Sequence, residues 1–424
     1  PLSFAITYGY DGALHPKGWV TYHKASIYAQ DEYAAADNFK LTFGVRADGI
    51  FFDNSQLKTN SAILAYNMGG KTIDTGYWPD AKVQVSPRIG FNWDIAGDKS
   101  VVLRGGTGLF QGRLPLVFFT NMPQNSNMIQ NSVNKGNYSA SIKDGVLVYT
   151  DAQKANLDKL VQDGKIVTDI NEMKKVLGLP EKLEGGGTMP SEINAVDRKF
   201  KMPQIWKSSL AIDWRLPVGF PLSITLEGMF NKTINGVRLV DWNLDDSKIL
   251  KDANRFAGSD TRYNYRKATD GFTYGKTSAY VLTNTNQGYG YTANVTINAS
   301  PVKNLNIMAA YTRTDSKEIS GMPGSAATSA YSSLYSVNGP NYTTLQRSQY
   351  VIPDKVMANV SYFIPFEVFG GNGFHVNAYY TAYSGLASSF IYSNDMNGDG
   401  IASDLIYIPK NENDILFKTQ EDAT

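Results

Sequence analysis

The stretch "SNDMNGDGIASDL" places Asp395, Asn397 and Asp399 at alternate positions, with Gly400 next and Asp404 four residues further on. Oxygens at positions 1, 3 and 5, a glycine for the sharp turn and a backbone carbonyl from Ile401 at position 7 are what a hard cation asks of a short loop. Position 12 holds Ile406 instead of the bidentate glutamate, so Asp404 at position 10 would have to substitute. No helical pattern flanks the loop, which argues against a sensor EF-hand. The residues leave two readings open, a structural calcium loop and an ion-free Asn/Asp/Gly turn.

Other chemistry is thinly supplied. There is no cysteine, which removes disulfides, thiolate zinc sites and thiol nucleophiles. The three histidines, His15, His23 and His375, are too scattered to form a relay or a metal cluster. A hydrolase at a barrel rim would need them gathered with acids, so the expectation is that the chain is not an enzyme. "RGGTG", Arg104 to Gly108, lacks the lysine and following helix of a phosphate loop, and strand glycines at a curved wall explain it better. Tyr77, Trp78, Tyr263, Tyr265, Tyr331, Tyr335 and Tyr342 lie between the regular segments and are the candidates for contacting a solute.

The elements that would carry these residues are strands. Between Phe39 and Asp48 the apolar set Phe39, Leu41, Phe43, Val45 and Ala47 alternates with Lys40, Thr42, Gly44, Arg46 and Asp48. The same period of two recurs from Val83 to Ile95, in "WKSSLAIDWRL", in "YTANVTINA" and in "FHVNAYYTAY". About ten such segments fall near 20–33, 39–52, 82–95, 100–113, 204–216, 221–234, 278–299, 304–316, 348–363 and 373–386. Short turns ("AAADN", "AGDK", "PVGF", "PVKN", "FEVFGGNG") alternate with excursions of roughly 30, 90, 45 and 30 residues. Outer-membrane barrels follow that rule, with short periplasmic turns and long extracellular loops.

The polar face carries Arg46, Asp48, Arg88, Asp94, Arg104, Lys207, Asp213, Arg215 and Glu227. These would be costly inside a small packed core and cost little in a wide, wet lumen. Phe39, Trp93, Phe110, Trp206, Trp214, Tyr291 and Phe374, near strand ends, suit aromatic girdles at the two membrane interfaces. Charged residues make up 19% of the chain, below the roughly 25% of soluble domains, and the net charge is +1, which gives no general pull toward nucleic acid. No run of about 18 apolar residues exists to make a membrane helix, but a transmembrane strand needs only about 9–11 residues. Within 114–203, "DAQKANLDKLVQDG" (Leu157, Leu160, Val161) and "DINEMKKVLGLP" (Met173, Val176, Leu177, stopped by Pro180) predict short helices.

Three longer stretches, "ASIYAQDEYAAADNFKLTFGVRADG", "VSPRIGFNWDIAGDKSVVLRGGTGLFQGR" and "PQIWKSSLAIDWRLP", resemble the C-terminal half of TonB-dependent outer-membrane transporters. The Oar-like branch is the nearest likeness, and "SNDMNGDGIASDLIYIP" resembles a late loop of that branch. The resemblance implies an all-β, antiparallel transmembrane barrel of about 22 strands, of which about ten are present. It implies energy-dependent uptake of a bulky solute, of peptide or oligosaccharide type, in the outer membrane of a Gram-negative bacterium. Its partners would be outer-membrane lipid, the imported solute, accessory outer-membrane proteins and the TonB complex, reached through a plug domain not present in this chain. No cofactor is implied beyond the calcium reading. The expected organisation is a barrel portion over 1–424, a long extracellular loop with short helices over 114–203 and an extracellular loop with the calcium-like motif over 385–424. The alternative is a surface adhesin or secretion-associated barrel that transports nothing.

Overall fold

The computed structural model describes residues 5–10, 15–113, 116–134, 186–250, 277–366 and 373–409, with shorter pieces within 141–175, 262–274 and at 411. One 13-stranded sheet dominates. Ten of its strands form an antiparallel meander: β1 (Thr21–Ala36), β2 (Phe39–Asp53), β3 (Lys82–Asp94), β4 (Val101–Gln111), β5 (Gln204–Arg215), β6 (Leu222–Asp241), β7 (Gly288–Ala299), β8 (Leu305–Glu318), β9 (Asp354–Pro365) and β10 (Gly373–Tyr383). Each pairs with the next in this order, and among the described residues the outer edges of β1 and β10 have no partner strand. The wall is an open portion of a barrel.

The ten sequence-predicted strands are all present. The ninth starts at Asp354 rather than near 348. The segment predicted over 278–299 is divided by the bend before Gly288, whose φ of 140° suits glycine. Its first part, Ser278–Thr285, pairs with the upper end of β6 and, in parallel, with Glu192–Val196.

Register assigns the faces. Arg104 stands opposite Ala211, and Asp213 opposite Val102 and Thr225. Arg46, Asp48, Arg88, Asp94, Lys207, Arg215 and Glu227 fall on the same side. Leu210, Ile212 and Trp214 share the opposite face with Leu103, Leu226 and Ile224. Phe110 is a correction: it lies on the charged face, with Arg88 at 4.6 Å and Lys207 at 5.9 Å from its ring centre, and belongs to no girdle. The glycines of "RGGTG" are structural. A Cβ on Gly105 would stand 2.8 Å from the Ser209 carbonyl oxygen, and one on Gly108 2.8 Å from that of Pro87.

The turns at one end are short and internally tied. The Asp94 carboxylate accepts from the backbone N–H groups of Gly97 and Lys99, which closes the β3–β4 turn. At the other end the long connections fold back over the charged face and make the hydrophobic core. Trp78, Phe119, Ile63, Met122, Ile193, Phe200, Val281 and Tyr331 belong to it, and nearly all come from connections. Phe119 is its centre, 5.2 Å from Phe52, 5.6 Å from Trp78 and 5.7 Å from Phe200. Each such side chain removed from water contributes about 1.5–3 kcal/mol.

Among the described residues the helical expectation for 114–203 fails at Val161 and holds at Asn171, Glu172 and Lys175. A further helix, Val117–Asn125, lies in a stretch with no helical signature and has Pro123 inside it. Val161, expected in a helix, lies in a two-residue strand paired with Lys165–Ile166. Asn171, Glu172 and Lys175 are helical, with the Asp169 carboxylate accepting from the first two N–H groups. Leu157, Leu160, Met173, Val176, Leu177 and Pro180 lie outside the described residues.

Candidate functional site

The long-connection end of the wall is where the candidate side chains gather. Asn60, fully buried, caps the helix Ser61–Leu64 by accepting from the N–H groups of Ala62 and Ile63. Its amide nitrogen donates to the carbonyls of Ser126 and Thr188, tying three connections together. Two clefts open among the later connections. One of about 420 Å³ is lined by Tyr335, Glu318, Gln346, Gln349 and Ser388 among others. The other, of about 640 Å³, is lined by Phe390, Val337, Leu405, Ile408 and Arg262. The segments Ser388–Ser389 and Leu405 wall both clefts.

The sequence-predicted aromatics divide on burial. Trp78 and Tyr331, each 1% exposed, are core residues, which corrects their reading as solute contacts. The Tyr331 hydroxyl donates to Asn341 Oδ1, and its ring packs on Tyr280. Tyr263 and Tyr342 meet edge to face at 5.0 Å, and Tyr342 donates to Asp246. Tyr77 is exposed and stacks under Arg198. Tyr335 is exposed in the smaller cleft. Tyr265 lies in a two-residue strand with Asn264. The structure thus brings together Tyr263 with Tyr342, and leaves Tyr77 apart. Gln346, Gln349 and Arg262 were missed, because isolated polar residues in irregular segments carry no periodic signal.

The acidic loop adopts the turn its spacing implies. The Asp395 carboxylate accepts from the N–H groups of Gly398 and Gly400, Asn397 Oδ1 from that of Asp399, and Asp399 Oδ1 from that of Ile401. Asp404 Oδ2 accepts from the N–H groups of Met396 and Asn397, which swings this carboxylate over the start of the loop. Its other oxygen, Oδ1, is buried without a hydrogen-bond partner. Asp399 is 5% exposed and Asp404 fully buried. Burial, with the charges of Asp404 and Asp395 added, pushes Asp399 up to about 7, against the Ile401 N–H that pulls it down. Burial also raises Asp404, helped by Asp395 and opposed by Arg262. The Ile401 carbonyl accepts from the Ser403 N–H. Among the described residues no three acidic or imidazole groups already converge as a metal cage.

Histidines form no site. His23 on β1 stands opposite Phe51, and His375 on β10 packs on Phe363 at 4.7 Å, on the first and last strands of the wall. No helix among the described residues is long and apolar enough to cross a membrane.

An antiparallel wall with one apolar face, one charged face, short turns at one end and folded connections at the other defines an outer-membrane β-barrel protein. Residues 7–420 match the model of the outer membrane beta barrel domain family, and the chain belongs to that family. Its place is the outer membrane of a Gram-negative bacterium. Similar solved structures include the copper transporter OprC, at 11% identity and a TM-score of 0.39, covering 86% of this chain and 40% of that one. The outer membrane transporter YddB from Escherichia coli has 9% identity and a TM-score of 0.37, over 86% of this chain and 47% of that one. The siderophore receptor PiuA from Acinetobacter baumannii has 11% identity and a TM-score of 0.33, over 86% of this chain and 36% of that one. The chain spans less than half the length of each. No curated protein matches it.

Proposed function

We propose that the chain forms part of the barrel of a TonB-dependent outer-membrane transporter of the Oar-like branch, taking up a bulky solute of peptide or oligosaccharide type. The observation that carries the reading is the pair of clefts built by the connections at the end of a charged, water-accessible wall. A solute captured there enters a lumen lined by Arg46, Asp48, Arg104 and Asp213 rather than by a sealed core. The resemblance of the strand sequences to such transporters supports the energy source. Capture needs Tyr335, Gln346 and Gln349 at the rim and no covalent chemistry.

Transport is tested in cells carrying the full-length protein, by following uptake of labelled peptides and oligosaccharides. Uptake should stop when TonB is removed and weaken in a Tyr335→Ala, Gln346→Ala double variant that still reaches the membrane. Surface binding without any uptake would favour an adhesin, and uptake that persists without TonB would sink the energy-coupled reading.

A structural calcium in the Asp395–Asp404 loop is part of the proposal. It is supported by the unpartnered, buried Asp404 Oδ1 beside two further carboxylates. The ion would draw on Asp395, Asn397, Asp399, Asp404 and the free lone pair of the Ile401 carbonyl. Without a bidentate ligand at position 12 its affinity falls at about 10⁻⁴–10⁻³ M. Millimolar calcium should protect the loop from proteolysis, and Asp399→Ala should abolish that protection while the wall still assembles. Identical cleavage with calcium and with chelator removes the calcium and leaves the transport reading standing.

A further inference from the structure

On the charged face of the wall, midway along its first three strands, two rows of side chains enclose a pocket of about 210 Å³. Tyr28, Arg46 and Ser86 stand side by side on β1, β2 and β3, and Gln30, Gly44 and Arg88 form the next row. All six line the pocket. Its floor is open because Gly44 has no side chain. Packing does not demand glycine there, since a Cβ would meet its nearest neighbour at 3.7 Å, an ordinary contact. A glycine inside a strand often marks a place where a ligand comes close.

The charges around the pocket are not balanced. Arg46 donates through Nε and Nη2 to Asp48 at 2.8 and 2.9 Å, which draws its guanidinium toward the row beyond and away from Gly44. Lys24 shares the same carboxylate. Arg88 has neither an acidic nor a hydrogen-bond partner among the described residues. It is held in place all the same. Its guanidinium lies 4.6 Å from the centre of the Phe110 ring. Gly108, opposite on β4, lets its stem lie close, for a Cβ there would stand 2.9 Å from Arg88 Cγ. Beside the two arginines Ser86 is 1% exposed, and its Oγ is buried without a hydrogen-bond partner. A hydroxyl buried in that state is costly unless something enters to meet it.

We infer that this pocket is a carboxylate site, in which the Arg88 fork takes the two oxygens and the Ser86 hydroxyl and Gln30 amide complete the contacts over Gly44. A planar carboxylate matches the edge of a guanidinium. One unopposed cation among the lining residues suits a single negative charge better than the two of a phosphate. Because Phe110 and Gly108 set Arg88 before the anion arrives, little ordering remains to be done on binding. The carboxylate comes from a solute in the lumen or from another segment of the full-length protein. The site stands whether or not the wall transports.

The lack of cysteine lets a single thiol report on the pocket. In the full-length protein, Tyr28→Cys is labelled with an anionic and with a cationic methanethiosulfonate reagent. The anionic reagent should react roughly tenfold faster, as one unopposed charge a few ångströms away in water implies. Adding Arg88→Gln should remove the preference, whereas Arg215→Gln, at the short-turn end of the same face, should leave it. Succinate is the competing probe. Slower labelling in succinate identifies a freely exchanging carboxylate. Slow labelling by both reagents, relieved by Arg88→Gln, identifies one supplied by the protein itself. Gly44→Val fills the floor and keeps every charge, so it should abolish either kind of protection, and it decides the matter alone if Arg88→Gln fails to assemble. Equal and unprotected labelling by both reagents, protection that survives Arg88→Gln or Gly44→Val, or an equal loss in Arg215→Gln overturns the site.

Discussion

Asn60 does at one position what several residues usually share. Its oxygen caps a helix, its nitrogen serves two carbonyls from distant connections, and water reaches neither. Replacing it with alanine leaves four backbone groups short of a partner, of which the Ile63 N–H and the Ser126 carbonyl belong to buried residues, at about 1–3 kcal/mol for each one that water cannot reach. Asn60→Ala should therefore expose 54–81 and 186–196 to protease while the wall stays folded. Asn60→Asp keeps the cap but sets a carboxylate against the carbonyls of Ser126 and Thr188, so it should be cleaved as fast as the alanine variant. Protection equal to wild type in Asn60→Asp would mean that the cap alone matters. The sequence could not announce this residue, because an asparagine ahead of a four-residue helix resembles any turn asparagine. Only the Asp395 spacing was legible at this scale, since its partners lie within the same short stretch.

Among the elements, the strands were legible and the connections were not. A strand half exposed to lipid and half to water must alternate, so residues such as Leu41, Phe43 and Val45 mark their face unaided. Val117–Asn125 has no such constraint. It packs Phe118 and Phe119 side by side into a core made of other loops, begins at Leu116 without a side-chain cap and tolerates Pro123. Trp78 and Tyr331 misled for the same reason, being loop aromatics whose loops fold inward. Two predictions belong here. Ile212→Arg places a charge on the lipid face at about 2–4 kcal/mol near the midplane, and should reduce the heat-modifiable, assembled form. Asp213→Ala removes an ion pair with Arg104 that the wet lumen already screens, and should assemble normally; equal damage from both would refute the register. Phe119→Ala should cost about 3–5 kcal/mol in the rim core, seen as faster hydrogen exchange at 117–125 and 192–200. Unchanged exchange there would show that Phe119 does not organise the connections.

At the scale of the molecule, the decisive property is that the ten-strand wall does not close on itself. The absence of cysteine gives a clean background for testing it. Ala29→Cys on β1 and Ala378→Cys on β10 both lie on the outer edges of the sheet. In the membrane-inserted protein, oxidation should give no bridge between them within one chain. A bridge within one chain would require a closed ten-stranded barrel and would exclude a wider one. Among the described residues the open edges also explain why the hydrophobic core lies at one end: a wall wet on its inner face can be sealed only where connections cover it.

The two halves of the structure differ in how far along the chain their contacts reach. Five of the nine wall pairings cross turns of a few residues, whereas β4 meets β5 with Arg104 and Asp213 109 residues apart, Asn60 meets Thr188 at a separation of 128 and Arg262 meets Leu405 at 143. Loop closure delays contacts of long range. The five hairpins should therefore form early, and their docking into one wall and the rim over it should come last, after chain segments more than a hundred residues apart have found one another. Before that final step the nascent wall has a bare mouth, with Phe119 and Trp78 still in water, and that interval is when a chaperone has most to hold.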